Sequence, residues 1–208
     1  MIDENNKSPF TSMLEAVMGE YMKDNLYTQV PGHIVDFDPD TQLATVQIGL
    51  KGQRNTGEYE TPNPIVMCPV QFAGSQYGTL EFQVGEGTEG LISFSHWAID
   101  TWVQSGGVQV RQDIRQFDGA DAFFTPGFRS MPNAIQGFAN DGIRLRSADG
   151  SAYFWVHGSG VVEVDGTMFI CRCPAQFDDT MTNRGKDVSS THTHTGVQTG
   201  NGTTGQVT

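Results

Sequence analysis

Charge is what this sequence has least of. Only 17% of its 208 residues are Asp, Glu, Lys or Arg, against an ordinary share of about 25%. Basic residues are the scarcer kind: 12 Lys and Arg face 24 Asp and Glu, a formal net charge of −12 and a pI ≈ 4.6. Such a chain repels a phosphate backbone, which excludes nucleic acid as a partner. No run approaches the roughly 18 apolar residues of a transmembrane helix. The N-terminal MIDENNKSPF lacks the basic and apolar regions of a secretory leader. Three cysteines make no even disulfide framework, which fits production in a reducing cytoplasm. Catalytic signatures are missing too. There is no Gly-x-Ser-x-Gly elbow, no His-Glu-x-x-His helix and no glycine-rich phosphate loop after a strand. His33, His96 and His157 are scattered, while Glu58/Glu60 and Asp178/Asp179 read as solvated faces, so the expectation is no enzyme.

From Val188 to Thr208 charge is absent altogether, and 13 of those 21 residues are Thr, Gly or Ser. By composition this segment cannot bury enough apolar surface to offset its ordering entropy, and it reads as a disordered tail. The rest is rich in aromatics, with 13 Phe, 5 Tyr and 3 Trp, which predicts order. The length supports one large domain or two small ones.

One helix is predicted. Ser8 caps it, Pro9 suits its first position, and Leu14, Val17, Met18 and Tyr21 recur at helical spacing until about Asn25. Its apolar stripe needs a covering surface, either the following domain or a neighbouring subunit. After Pro31-Gly32 the period changes to two. His33–Phe37 and Leu43–Ile48 flank the turn Asp38-Pro39-Asp40-Thr41, and Ile65–Phe72, Thr79–Val84 and Gly90–Ser95 follow. Five short strands predict a small β-barrel of the oligomer-binding (OB) type. Residues 104–139 are loop-rich. From Asn140, Ile143–Ser147, Ala152–His157, Val161–Asp165 and Met168–Cys173 repeat every nine or ten residues, too thin a sheet to close its own edges. Such a segment calls for stacking with other chains, and three chains wound together leave no lateral edge.

Two clusters carry metal-binding chemistry. Cys171 and Cys173 on one face of a strand hold their sulfurs about 6.5–7 Å apart. They read either as half of a zinc site or, more simply, as small side chains lining a narrow β interior. In Thr191-His192-Thr193-His194-Thr195, an extended backbone projects His192 and His194 to one side. Two imidazoles are too few for a closed site, but three chains supply six nitrogens. Octahedral nitrogen coordination suits iron, with nickel or cobalt as competitors. The alternative is a polar tail whose histidines face water.

The order of these parts, with Pro126-Gly127-Phe128 and then His192–Gln198 and Gly202-Thr203-Thr204-Gly205, resembles the central spike, or membrane-piercing needle, of contractile phage tails. The resemblance implies a homotrimer at the centre of the virion tail baseplate. Its barrels would attach to a baseplate hub protein, and its β-helix would taper to a tip that punctures the host outer membrane. It implies one iron ion held by His192 and His194 of three chains. The fold expected is thus mainly β: an N-terminal helix (1–27), an OB-like barrel with long loops (28–139), a trimeric β-helix or prism (140–190) and a metal-binding apex (191–208). Pro174 and Asp178-Asp179 depart from regular winding. Trp97, Trp102 and Phe128 are assigned to the barrel core or to subunit contacts. Two rivals stand beside this reading: an OB-type module binding carbohydrate or protein with a flexible tail, and a zinc enzyme using Cys171, Cys173, His192 and His194.

Overall fold

A computed structural model describes residues 8–53, 56–189 and 200. Helix α1 (Pro9–Asn25) starts where local chemistry dictates. The Ser8 hydroxyl oxygen accepts from Thr11 N at 3.2 Å, which satisfies one of the orphan amides of the first turn. Pro9 gives up no needed donor there. The stripe Phe10, Leu14, Val17 and Met18 remains exposed.

The chain then divides into two compact units, 1–135 and 136–208. The first contains β1 (Gln29–Asp38), β2 (Leu43–Ile48), a small hairpin of β3 (Gly52–Gln53) and β4 (Tyr59–Glu60), and β5 (Ile65–Pro69). A second small hairpin, β6 (Gly74–Ser75) and β7 (Gly78–Thr79), precedes β8 (Glu89–Phe94), helix α2 (Asp100–Ser105) and β9 (Ala122–Pro126). The main sheet has the order β5-β2-β1-β8-β9, with every ladder antiparallel. It curls until its edges meet at a single parallel bridge, Val70 to Phe124, reinforced by Gln71 N donating to Phe124 O at 2.8 Å. The result is a half-closed barrel with the strand order of a Greek-key OB-type fold.

Period-two alternation fills its interior. Ala44 and Val46 of β2, Ile92 of β8, and Ala122 and Phe124 of β9 point inward with Ile34, Cys68 and Val70. In β1 the phase slips, because Ile34 pairs with Val46 and Asp36 with Thr45, leaving Val35 as a bulge. The bulge lets both Ile34 and Phe37 face the core side and adds the bend that curls the sheet. Gly32 and Gly90 oppose each other across β1 and β8. At both positions a side chain would strike the next strand's backbone, so the glycines permit the close approach.

Two sequence expectations change in this unit. Thr79–Val84 is not a barrel strand: both edges of β1 are already taken by β2 and β8. The segment instead lays Phe82 against Phe72 (ring centroids 5.2 Å apart) and Val84 against the core. The fifth strand is β9, inside the stretch read from sequence as loop-rich. Nor do Trp97, Trp102 and Phe128 lie in the core; all three are about half exposed.

The second unit holds an antiparallel meander, β10 (Ile143–Arg146), β11 (Tyr153–Val156) and β12 (Val162–Asp165), followed by a hairpin of β13 (Thr182–Asn183) and β14 (Lys186–Asp187). Gly150 and Gly160, at φ 76° and 88°, close the two meander turns. Asp149 secures the first by accepting from Ser147 Oγ at 2.6 Å and Ser151 N at 3.0 Å. Arg184 and Gly185, at φ 50° and 77°, form the turn of the last hairpin. Met168–Cys173, expected as a fourth strand, joins no ladder.

Candidate functional site

Four constellations of the described residues bear on function. The first locks the long connection between β8 and β9. Asp121 is fully buried, and Ile99 N donates to its Oδ1 at 2.9 Å. Arg115 grips the same carboxylate with two donors, Nε to Oδ2 at 2.7 Å and Nη2 to Oδ1 at 2.8 Å. The remaining guanidinium donors reach Asp113, at 2.9 Å, and Asp100. Asp121 first, then Asp100 and Asp113, hold Arg115 firmly in its charged form. A fixed fork can satisfy several carboxylates at once where a lysine cannot. The loop carrying Trp97, α2 and Arg111 is therefore positioned by a charge cluster; Arg111 lies 4.5 Å over the Trp97 ring.

The second ties the start of β8 to the chain that follows β9. The Glu89 carboxylate accepts from Ser130 N at 2.7 Å, Ser130 Oγ at 2.8 Å and Asn133 Nδ2 at 2.7 Å. Those bonds, led by the Ser130 amide, hold its pKa below the usual carboxylate range. Glu89 lines a shallow cleft with His33, Phe128 and Arg129, whose depth is set by the side-chain-free Gly32, Gly49 and Gly90.

The third is the meander, whose two faces differ completely. On one, Arg144 lies 4.0 Å over the Tyr153 ring and 4.9 Å over Trp155, which stacks on His157 at 3.9 Å. Tyr153 Oη donates to Glu163 at 2.6 Å, and His157 Nε2 lies 2.9 Å from the same carboxylate. The Tyr153 bond, then the His157 bond, lowers the Glu163 pKa. Arg144, Tyr153, Trp155, His157 and Glu163 thus form one continuous network that braces the sheet from within one chain. On the other face Leu145, Phe154 and Val164 form one cross-strand row and Ile143 and Val162 flank Val156 in a second, and the five apart from Val156 stay 45–72% exposed. An apolar sheet face of this kind marks an interaction surface.

The fourth is the cysteine pair. Cys171 and Cys173 are exposed and not disulfide-bonded, with their sulfurs 3.5 Å apart. Neither the strand spacing of about 6.5–7 Å nor the buried lining expected of them is found, because the segment bends instead of extending. Cys68, by contrast, is buried in the barrel core, and burial pushes its thiol up to about 12. Among the described residues, no group of three or more His, Cys, Asp or Glu is gathered to hold a metal ion. His192 and His194, and with them the whole 191–208 apex apart from Gly200, lie outside the described residues.

Sequence reasoning missed the Arg115 cluster and the Glu89 clamp. Arg115 amid Asp100, Asp113, Asp118 and Asp121 was a visible signal, one of only two cations, with Arg111, in that acidic stretch. Glu89 had none, since its partners lie 41 and 44 residues away.

The acid limb of stability follows from these hydrogen bonds. Asp38, Glu89, Asp113 and Glu163 are all held below their ordinary values, and Asp149 falls to about 2, chiefly through Ser147. A lowered folded-state pKa contributes stability above the unfolded value and loses it as pH falls through the folded one. The urea midpoint is expected to stay flat above about pH 5 and to fall between about pH 4 and 2. Asp149→Asn should flatten the lowest part of that fall. A midpoint that does not change across this window would contradict the bonding described.

The chain thus carries a half-closed OB-type barrel and, later in sequence, a separate antiparallel meander with one exposed apolar face. Residues 30–127 match the family described as phage protein Gp138 N-terminal domain. The match runs from the start of β1 to just past β9, the whole barrel sheet. No curated protein matches the chain. The match supports a structural protein of the phage virion tail that assembles with other virion proteins.

Proposed function

We propose that this protein is the non-enzymatic central spike of a phage tail baseplate, a homotrimer that attaches through its barrels to a hub protein and punctures the host outer membrane. The observation that carries the reading is the open apolar face of Ile143, Leu145, Phe154, Val162 and Val164. Three copies turning that face inward would cover it and remove the free edges of β10 and β12. The exposed stripe of α1 is a second surface for a subunit or the hub. At the apex His192 and His194 of three chains would supply six imidazoles to one iron ion. A metal staple of that kind replaces a core where a narrow tip has no room for one. The uncharged 188–208 segment would also spare the tip the cost of carrying ions into hydrocarbon, several kcal/mol each by order of magnitude.

The expected result is a trimer by light scattering, resistant to SDS without boiling, with one iron per three chains. Replacing both His192 and His194 with alanine should abolish bound metal and expose the chain to protease beyond residue 186, leaving the trimer intact. A monomer in solution would sink the spike reading. Unchanged metal in the double variant would remove the ligand assignment alone, and about one zinc per chain would favour an enzyme.

A further inference from the structure

Between the meander and the last hairpin, the bend at Met168–Cys173 produces a geometry that a regular strand forbids. Residues i and i+2 of a strand hold their side chains about 6.5–7 Å apart, yet Cys171 Sγ and Cys173 Sγ are 3.5 Å apart. A disulfide is about 2.05 Å long, so covalent closure needs the sulfurs to approach by only about 1.5 Å. Both side chains are exposed, so a reagent can reach either. As a thiol, Cys171 donates to the Cys173 carbonyl oxygen at 3.1 Å. As a thiolate it is stabilised first by the Cys173 backbone and then by the Cys173 thiol, which lowers its pKa. Cys171 is thus the attacking sulfur and Cys173 the resolving one. Cys68, buried and with a raised pKa, is chemically silent.

We propose that Cys171 and Cys173 form a thiol–disulfide exchange site whose co-substrate is a low-molecular-weight disulfide. The Cys171 thiolate attacks one sulfur of the reagent, the reagent's S–S bond breaks, and one thiolate leaves as a mixed disulfide forms on Cys171. Cys173 then loses its proton to solvent, and its sulfur attacks Cys171 Sγ. This expels the second thiolate and closes the Cys171–Cys173 bond. The two protein thiols are oxidised, the reagent is reduced to two thiols, and the two protons released end on those thiols. A chain made reduced therefore acquires a covalent brace at this bend once it meets an oxidising medium. The inference does not rest on the spike reading.

The test uses the native full-length protein and oxidised glutathione. The expected product is lighter by about 2 Da with no glutathione attached. After unfolding, Cys68 should be its one remaining alkylatable thiol. Cys173→Ser should stop at a stable glutathione adduct on Cys171, and Cys171→Ser should react more slowly without closing. Cys68→Ser should behave as the parent protein. The proposal is overturned if the native protein does not react, if glutathione stays on both cysteines, or if a non-reducing gel shows the bond joining two chains.

Discussion

Arg115→Ala is expected to lower the unfolding free energy of the barrel unit by about 3 kcal/mol, the lower end of the range for breaking a buried ion pair. The partner left behind is the reason. Asp121 is fully buried, and without Arg115 it keeps only the Ile99 amide as a donor to its side chain. The lower end applies because the Arg115 side chain itself is a quarter exposed, so water can enter part of the vacated space. Arg115→Lys should recover little, since an ammonium cannot bridge both oxygens of Asp121 while also reaching Asp100 and Asp113. Pairing Arg115→Ala with Asp121→Asn should restore part of the loss, because the amide carries no charge and still accepts from Ile99. Urea midpoints of the parent, Arg115→Ala, Asp121→Asn and the double variant measure this as a double-mutant cycle. A loss below about 1 kcal/mol for Arg115→Ala would show that Asp121 finds other compensation.

Gly90→Ala is expected to be as damaging, by a steric route. A Cβ at residue 90 would sit 2.4 Å from Thr125 O and 2.5 Å from Phe124 Cζ. The first is backbone of β9 and the second is the largest fully buried side chain of the core, so neither can yield without moving a strand. Overpacking of this kind costs about 1–3 kcal/mol and occasionally more, and the upper part applies where both obstacles are fixed. Gly85→Ala is the control: its Cβ meets nothing within 4 Å, and the change should be neutral or stabilise by up to about 1 kcal/mol. Equal effects at the two positions would refute the close-approach account of the Gly32–Gly90 pair.

What could be read from the chain was what neighbours in sequence decide. Ser8 and Pro9 announce α1 because a cap acts on amides two or three residues away. Asp38 announces the β1–β2 turn, accepting from Asp40 N at 2.9 Å and Thr41 Oγ1 at 2.7 Å. Strand periodicity located β1, β2, β5, β8 and the three meander strands. The failures share one cause. Ala122–Pro126 carries a short apolar run in a loop-rich stretch, and only its pairing with β8 and its contact with Val70 make it the closing strand. Thr79–Val84 has strand-like residues but pairs with no strand of the main sheet.

The same division runs through the candidate sites. The distribution of charge, the neutral 188–208 segment and the alternation that gives the meander one apolar face were all properties of the sequence by itself, since each depends only on residue type and period. The tertiary structure alone decided that Arg115 and Glu89 are anchors and that Cys171 and Cys173 touch. It also left Trp97, Trp102 and Phe128 outside the core. Composition limits which groups can meet, but a hydrogen bond or a thiol contact depends on a few ångströms. Those are set by chain closure between distant segments and, at the cysteines, by a bend that no local pattern encodes.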